Sequence, residues 1–445
     1  MAPRQCLPRY SLQGDLPTHP PLPGVPMRAA ALLITTALIG CQTAPEPSTS
    51  TASVRDSAGI EIVTSMTPTW QEGEGWQVDT MPMTVIGADE SDPQQQWKYV
   101  EGAARLSDGS IAVAADGSIR LFGADGRFVR LISRTGEGPG EFRYFGDLLA
   151  LPGDTIRANN SFGYQVAWYT PSGRLIREER LDREQLARFG PWSECSNGFL
   201  PDGSRYGCKK DPSIPLSATN RPSVIDASGM SSPGPGLLRQ LNRVWLVTPA
   251  RDTAYPLGIE AGLEQFGVTL EAGREAFVMH PFHSRSYFAS GGTPQRLAIA
   301  TNPEYRIELW SMTGKLERII ERPGARQTPP PEEIARANEY MASQLDYMDK
   351  ATRDRVLAQV PTPDSLAAVS GLAMMPTGEL LVQREGRLLS QPATVWDVFG
   401  TDGGLLGNIR IPGHMRLLAA GSDHLLVMRR TPDDAWLVEA YRLKR

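Results

Sequence analysis

Few residues of this chain have types and spacing suited to chemistry. His280 and His283, in MHPFHSRS, stand at a metal-like separation, but Pro281 between them prevents a shared helical face and no third ligand follows nearby. His414 and His424 fall at strand or turn edges and read as ordinary packed or surface residues. No G-x-S-x-G elbow, H-E-x-x-H pair or Walker glycine loop occurs, so serine-hydrolase, metalloprotease and nucleotide-binding readings lack their mechanical parts. Gly136-Glu137-Gly138-Pro139-Gly140-Glu141-Phe142 is dense enough in glycine and proline to reverse the chain tightly. There Glu141 can accept backbone N–H bonds or face a ligand at a channel mouth, and Phe142 can plug a gap between sheets. Cys195 and Cys208 flank the turn Pro201-Asp202-Gly203 and can meet across a hairpin in an oxidising compartment; two separate buried thiols are the other reading. A disulfide closing so short a loop would stabilise by about 3 kcal/mol in the chain-entropy model.

Such residues need elements to position them. Leu106 to Phe142 holds strand, turn, strand, turn, strand around Asp108-Gly109 and Asp125-Gly126, with alternating apolar residues. Leu148 to Arg180 repeats the layout around Pro152-Gly153-Asp154 and Ser172-Gly173, about 44 residues on, the period of a four-stranded propeller blade. Further units hold Leu297 to Ile320 and Leu372 to Ile411, and one more must lie within 195–275. There Ser228-Gly229 and Pro249 to Asp252 compete for the last turn. Leu417-Leu418, Leu425 to Met428 and Trp436 to Leu443 make three strands and then the chain stops. Ile60 to Val63 and Trp76 to Ile86, at the other end, are expected to complete that sheet and so remove the exposed edges. The expectation is an all-β, six-bladed propeller over 59–445 closed by an amino-terminal strand, with seven blades the other count the spacing allows.

One segment breaks the pattern. After Thr328 and three prolines, Ile334, Ala337, Met341, Leu345 and Met348 recur at helical spacing, which predicts one or two helices within an insertion over 328–360, before the fifth blade. They read as a lid packed on one end, or as a partner-binding helix.

The amino end supplies an address. Met27-Arg28, then AAALLITTALIG, then Cys41 has the plan of a secretory signal over 27–40, too short to span a bilayer. Leu38-Ile39-Gly40-Cys41 resembles a bacterial lipobox, which implies cleavage before Cys41, lipidation of Cys41 and a membrane partner through the lipid. Gln42 follows, so by resemblance the destination is the outer membrane of a bacterial cell envelope. Residues 1–26 read as a leader or misassigned start, and 41–58, rich in Pro, Ser and Thr, as a disordered tether. With net charge −5 over 445 residues, nucleic acid is excluded as a natural partner.

Gly136, Gly138, Pro139, Gly140, Glu141 and Phe142 together form a signature that resembles the G-x-G-P-G-E-F crossover of bacterial six-bladed propeller lipoproteins related to the NHL-repeat group. The resemblance spans about 59–445 and implies a propeller lipoprotein of a kind that mostly lacks an assigned activity; the expectation is an envelope propeller acting as a noncatalytic binding module, monomeric, without a cofactor, for an unknown protein, peptide or glycan. An analogy with six-bladed calcium lactonases supplies the alternative, a calcium-dependent hydrolase with Ca2+ in the channel. On that analogy the ligands would be Glu101, Asp147, Asn159, Asn160 and Glu194. Trp168, Trp192, Trp245, Trp310 and Trp396 are spread over the repeats and would pack between blades or, near loop ends, stack on a sugar or peptide.

Overall fold

Alternating apolar residues bounded by glycine turns give short antiparallel strands, and the computed structural model arranges them as successive sheets whose strands run in chain order. The structure describes residues 52–445 except 72, 161–164, 181–197, 210, 212, 215–223, 226–230, 233–235, 251, 271–274, 302–303, 385–392, 414–415, 432 and 434. Blade 1 is Val100–Arg105, Ile111–Ala115, Ser118–Phe122 and Phe128–Ser133. Blade 2 is Phe145–Leu151, Thr155–Asn160, Gln165–Tyr169 and Leu175–Arg180. Blade 3 is Gly198–Phe199, Arg205–Lys209, Leu241–Val247 and Ala254–Ala261. Its last turn therefore falls at 248–253, the position of Pro249 to Asp252; Ser228-Gly229 lies outside the described residues. Blade 4 is Ser286–Gly291, Arg296–Thr301, Arg306–Ser311 and Leu316–Glu321. Blade 5 is Gly371–Met374, Leu380–Gln383, Ala393–Phe399 and Leu405–Pro412. Blade 6 is Arg416–Ala420, His424–Arg430 and Trp436–Lys444.

Packing joins these sheets into a ring. One apolar cluster lies between blades 1 and 2, another between 2 and 3, and so on to blade 6, whose Leu426 and Val438 pack with Ile111 and Val113 of blade 1. The protein is a β-propeller. Closure comes from the amino end: Thr84–Ile86 pairs with Trp436–Lys444 in the register Val438↔Ile86 and Ala440↔Thr84, and Gln77–Val78 continues along that edge.

Two expectations need correction. Ile60 to Val63 does not join blade 6: Ile60–Ser65 lies parallel to Leu316–Glu321, the outer strand of blade 4, with Ile62 opposite Ile319. Its own apolar face, Ile62 and Val63, is buried there, and the chain then crosses blade 5 before reaching blade 6. The segment 41–58 is not free throughout, because Ala52–Ser57 pairs with Ile60–Ser65 as a hairpin. That strand is almost wholly exposed, so composition gave no sign of it; the partner strand supplies the hydrogen bonds that its own side chains cannot replace.

Two helices, Pro331–Gln344 and Lys350–Leu357, fall between blades 4 and 5. Pro331 presets the first turn of one, and Asp349 caps the other by accepting the Thr352 N–H at 3.0 Å. Met341, Leu345, Val356 and Val360 pack against Phe266, Val268 and Val278 of a three-stranded satellite sheet, Gly236–Leu238, Gln265–Thr269 and Glu275–Val278. Gln359 ties the layers by donating to Thr269 O (3.0 Å) and accepting from its N–H (2.8 Å). Among the described residues no helix is long and apolar enough to cross a membrane.

Candidate functional site

The two ends of the ring differ. Connections from first to second and from third to fourth strands are all short, the longest being 248–253. Every longer connection between blade strands leaves the other end: 87–99, 134–144, 181–197, 210–240, 262–285, 322–370 and 384–392. Short turns close strands; long ones carry recognition surface, so this elaborated end is the candidate functional face.

Its 136–142 connection is a lock between blades 1 and 2. The Gly138 N–H donates to Glu141 Oε2 at 3.0 Å, and Glu141 also pairs with Arg134. These bonds hold the Glu141 carboxyl below its usual range. Gln165 Nε2 donates to Glu141 O (2.8 Å), Gly140 N–H to Glu178 Oε2 (2.9 Å), and Arg180 to the carbonyls of Glu137 and Gly138. Gly140 takes φ +69°, which favours glycine, and its carbonyl accepts the Ser133 and Tyr169 hydroxyls. Phe142 is buried between the blades, its ring 4.7 Å from that of Phe145. Tyr169→Phe should lower stability by about 1 kcal/mol, since Gly140 O keeps the Ser133 bond. A urea titration measures it, and no change in midpoint would remove Tyr169 from the lock.

The oxygen ligands considered above separate. Glu101 Oε1 accepts the Phe145 N–H at 3.0 Å, while Oε2 is buried without a hydrogen-bond partner and burial pushes the carboxyl up. Asp147 lies 3.5 Å from Nη2 of Arg157, a buried guanidinium that also donates to the carbonyls of Leu200 and Phe199. A fixed cation beside Asp147 opposes a divalent ion there. Asn159 is buried and donates to Asn160 O (3.2 Å), with Oδ1 unpartnered; Asn160 Oδ1 accepts the Gln165 N–H (3.3 Å). Glu194 lies outside the described residues. Among the described residues no three His, Cys, Asp or Glu side chains gather as a metal site.

What does gather is a polar and aromatic seam between blades 2 and 3. Register places Asp147 opposite Asn159 and Leu149 opposite Arg157, so Asp147, Arg157 and Asn159 share one face of blade 2. Trp168 is on that face and packs with Phe199, Val247 and Trp245 of blade 3. Arg205 stacks on Phe199 as Arg157 does, and Arg177 covers Trp168 at 3.7 Å. Tyr206 stacks on Phe288 at 5.0 Å, and burial, with Asp147 nearby, holds its hydroxyl protonated. Sequence reasoning missed Arg157 and Arg205. An arginine between Ile156 and Ala158 in the second strand of a blade, TIRANN, was the available signal for Arg157.

The remaining candidates have local roles. His280 is buried, its Nδ1 accepts the Phe282 N–H at 3.1 Å, and burial lowers its pKa to about 4, so it is neutral. His283 Nδ1 lies 2.8 Å from His280 O, and His424 bonds Asp423 at 2.7 Å; His414 lies outside the described residues. Cys208 is buried and disulfide-bonded; Cys195, like Cys41 and Trp192, lies outside the described residues. Trp396 is buried between blades 5 and 6, and Trp310 packs between blades 3 and 4.

No protein-family model matches the chain, and no curated protein matches it in sequence. Solved structures with a similar course include a member of the DUF4221 family from Bacteroides vulgatus (10% identity, TM-score 0.42, 83% of this chain and 99% of that one). A Bacteroides fragilis protein whose name proposes export aligns at 11% identity and TM-score 0.41, over 86% and 99%. A gluconolactonase from Xanthomonas campestris aligns at 12% and 0.36, over 78% and 87%. The propeller assignment rests on the strand order and packing of this chain itself.

Proposed function

We propose that the chain is a lipid-anchored envelope propeller of the NHL-like lipoprotein kind, and that it acts as a noncatalytic binding module through its elaborated end. One observation carries the reading: every long connection between blade strands leaves that end. The export signal and Cys41 support an envelope address, and Gln42 an outer-membrane one. The occupant is a protein, peptide or glycan.

Calcium-dependent hydrolysis is the competing chemistry, favoured only by the unpartnered oxygens of Glu101 and Asn159. Calcium titration followed by tryptophan fluorescence, with a lactone hydrolysis assay alongside, decides between them. The binding-module reading expects no saturable calcium response and no turnover; calcium-dependent lactone turnover would overturn it. Lipidation is checked on the mature amino terminus by mass spectrometry, where an unmodified peptide spanning Gly40 and Cys41 from membranes would contradict it.

A further inference from the structure

A separate charged cluster sits at the elaborated end of the seam between blades 4 and 5. Asp397, on the third strand of blade 5, is 1% exposed. Arg322 is the first residue past the last strand of blade 4, and Arg384 the first past the second strand of blade 5. Arg322 Nη1 donates to Asp397 Oδ2 at 2.6 Å, Arg384 Nε lies 3.1 Å from Oδ1, and the Tyr305 hydroxyl donates to Oδ2 at 2.8 Å. Two guanidiniums thus share one carboxylate and leave one positive charge over.

Among the described residues none neutralises it. Arg326 and Glu304 pair with each other at 3.4 Å, and Glu321 is taken by Arg306 at 2.6 Å. Among the described residues no carboxylate other than Asp397 meets Arg322 or Arg384. Arg322 commits one of its five guanidinium donors to Asp397, while Arg384 Nε stands 3.1 Å from Oδ1 as an ion pair without hydrogen-bond alignment. The side chains are 18% and 24% exposed, so part of each opens to solvent while the buried carboxylate fixes its position.

We propose that Arg322 and Arg384 form a binding site for an oxyanion, the carboxylate or phosphate of a ligand held at the elaborated end. The proposal rests on the reading of that end as the binding face and names one chemical group its ligand carries. Guanidiniums that each pair with a different oxygen of one carboxylate, at 2.6 and 3.1 Å, are close enough for a second oxyanion to bridge them. Planar forks suit carboxylate and phosphate where a point charge would not. Asp397 is a positioning residue: it orients both forks.

The test is isothermal titration of inorganic phosphate and of acetate, in separate arms, into the soluble chain from Gln42 onward. Saturable binding is expected for the wild-type protein with at least one anion, and the arm that binds tells phosphate from carboxylate. Arg384→Gln should weaken it at least tenfold, Arg384→Lys by less, and Arg326→Gln should leave it unchanged. A thermal melt of each variant shows that it is folded; if Arg384→Gln fails to fold, Arg384→Lys against Arg326→Gln carries the comparison. Affinity unaltered in the Arg384 variants, or no saturable binding of either anion, would overturn the site. The binding-face reading is judged separately, by where a bound partner cross-links.

Discussion

Deleting residues 52–86 is expected to leave a protein that aggregates or melts far below the wild type, whereas deleting residues 43–51 should change nothing measurable. The first segment is a belt around half the ring. Ile60–Ser65 extends blade 4, with Val63 opposite Ile320. The N–H groups of Thr69 and Trp70 then donate to the carbonyls of Leu405 and Leu406 on blade 5, at 3.0 and 2.7 Å. Gln77–Val78 and Thr84–Ile86 finally cover the edge of blade 6. Without the belt, three sheets expose ladder groups and the buried faces of Ile62, Val63 and Ile86 are lost. A gentler version is Ile86→Ala, fully buried among Val100, Ile111 and Val438, at about 2–5 kcal/mol. The comparison is a paired thermal melt, and equal melting temperatures for the two deletions would mean that the ring closes without the belt.

The second large effect concerns pH. Glu260, at the end of blade 3's last strand, is buried against Asn242, whose Nδ2 donates to Oε2 at 3.1 Å. Burial raises its pKa to about 7, with the Asn242 bond and the charge of Arg239 opposing. Glu264, the other carboxylate beside Arg239, accepts the Ser284 N–H at 2.8 Å. The folded state therefore holds a proton that the unfolded state releases near pH 4.5. Stability from this group is full below that value and falls as pH rises to about 7, by about 3 kcal/mol over the window. Glu260→Gln should flatten that slope and raise stability at pH 8 by a similar amount. Urea melts of both proteins from pH 4.5 to 8 decide it, and parallel profiles would show that Glu260 ionises as a normal carboxylate. The site is mechanical as well as electrostatic. Arg239 and Gly262, joined by a bond of 3.4 Å, stand where both strands leave blade 3 for the satellite sheet.

Propeller architecture was legible because its information is local. Asp108-Gly109, Asp125-Gly126 and Thr313-Gly314 punctuate alternating strands, and the same spacing recurs. Partner choice was not local. Nothing in IEIVTS says whether it pairs with blade 4 or blade 6, because both offer an open outer edge of β-branched and apolar residues; only the length of chain from Ser65 to Thr84, which lets it cross blade 5, decides. The site was less legible still. Asp147 and Asn159 stood out as oxygen carriers, yet their meaning depends on Arg157, which pairing register brings to the same face. Likewise Arg322, Arg384 and Asp397 are far apart in sequence and meet only because two blades are neighbours.

The central claim is that recognition belongs to the elaborated end, and site-specific photo-cross-linking in intact envelopes tests it most directly. Probes replace the exposed Tyr340, Tyr347 and Arg326 at that end, and Asp125, Asp402 and Ser172 in the short turns opposite. The account predicts discrete adducts from the first set and none from the second. Adducts confined to the short-turn end would contradict it.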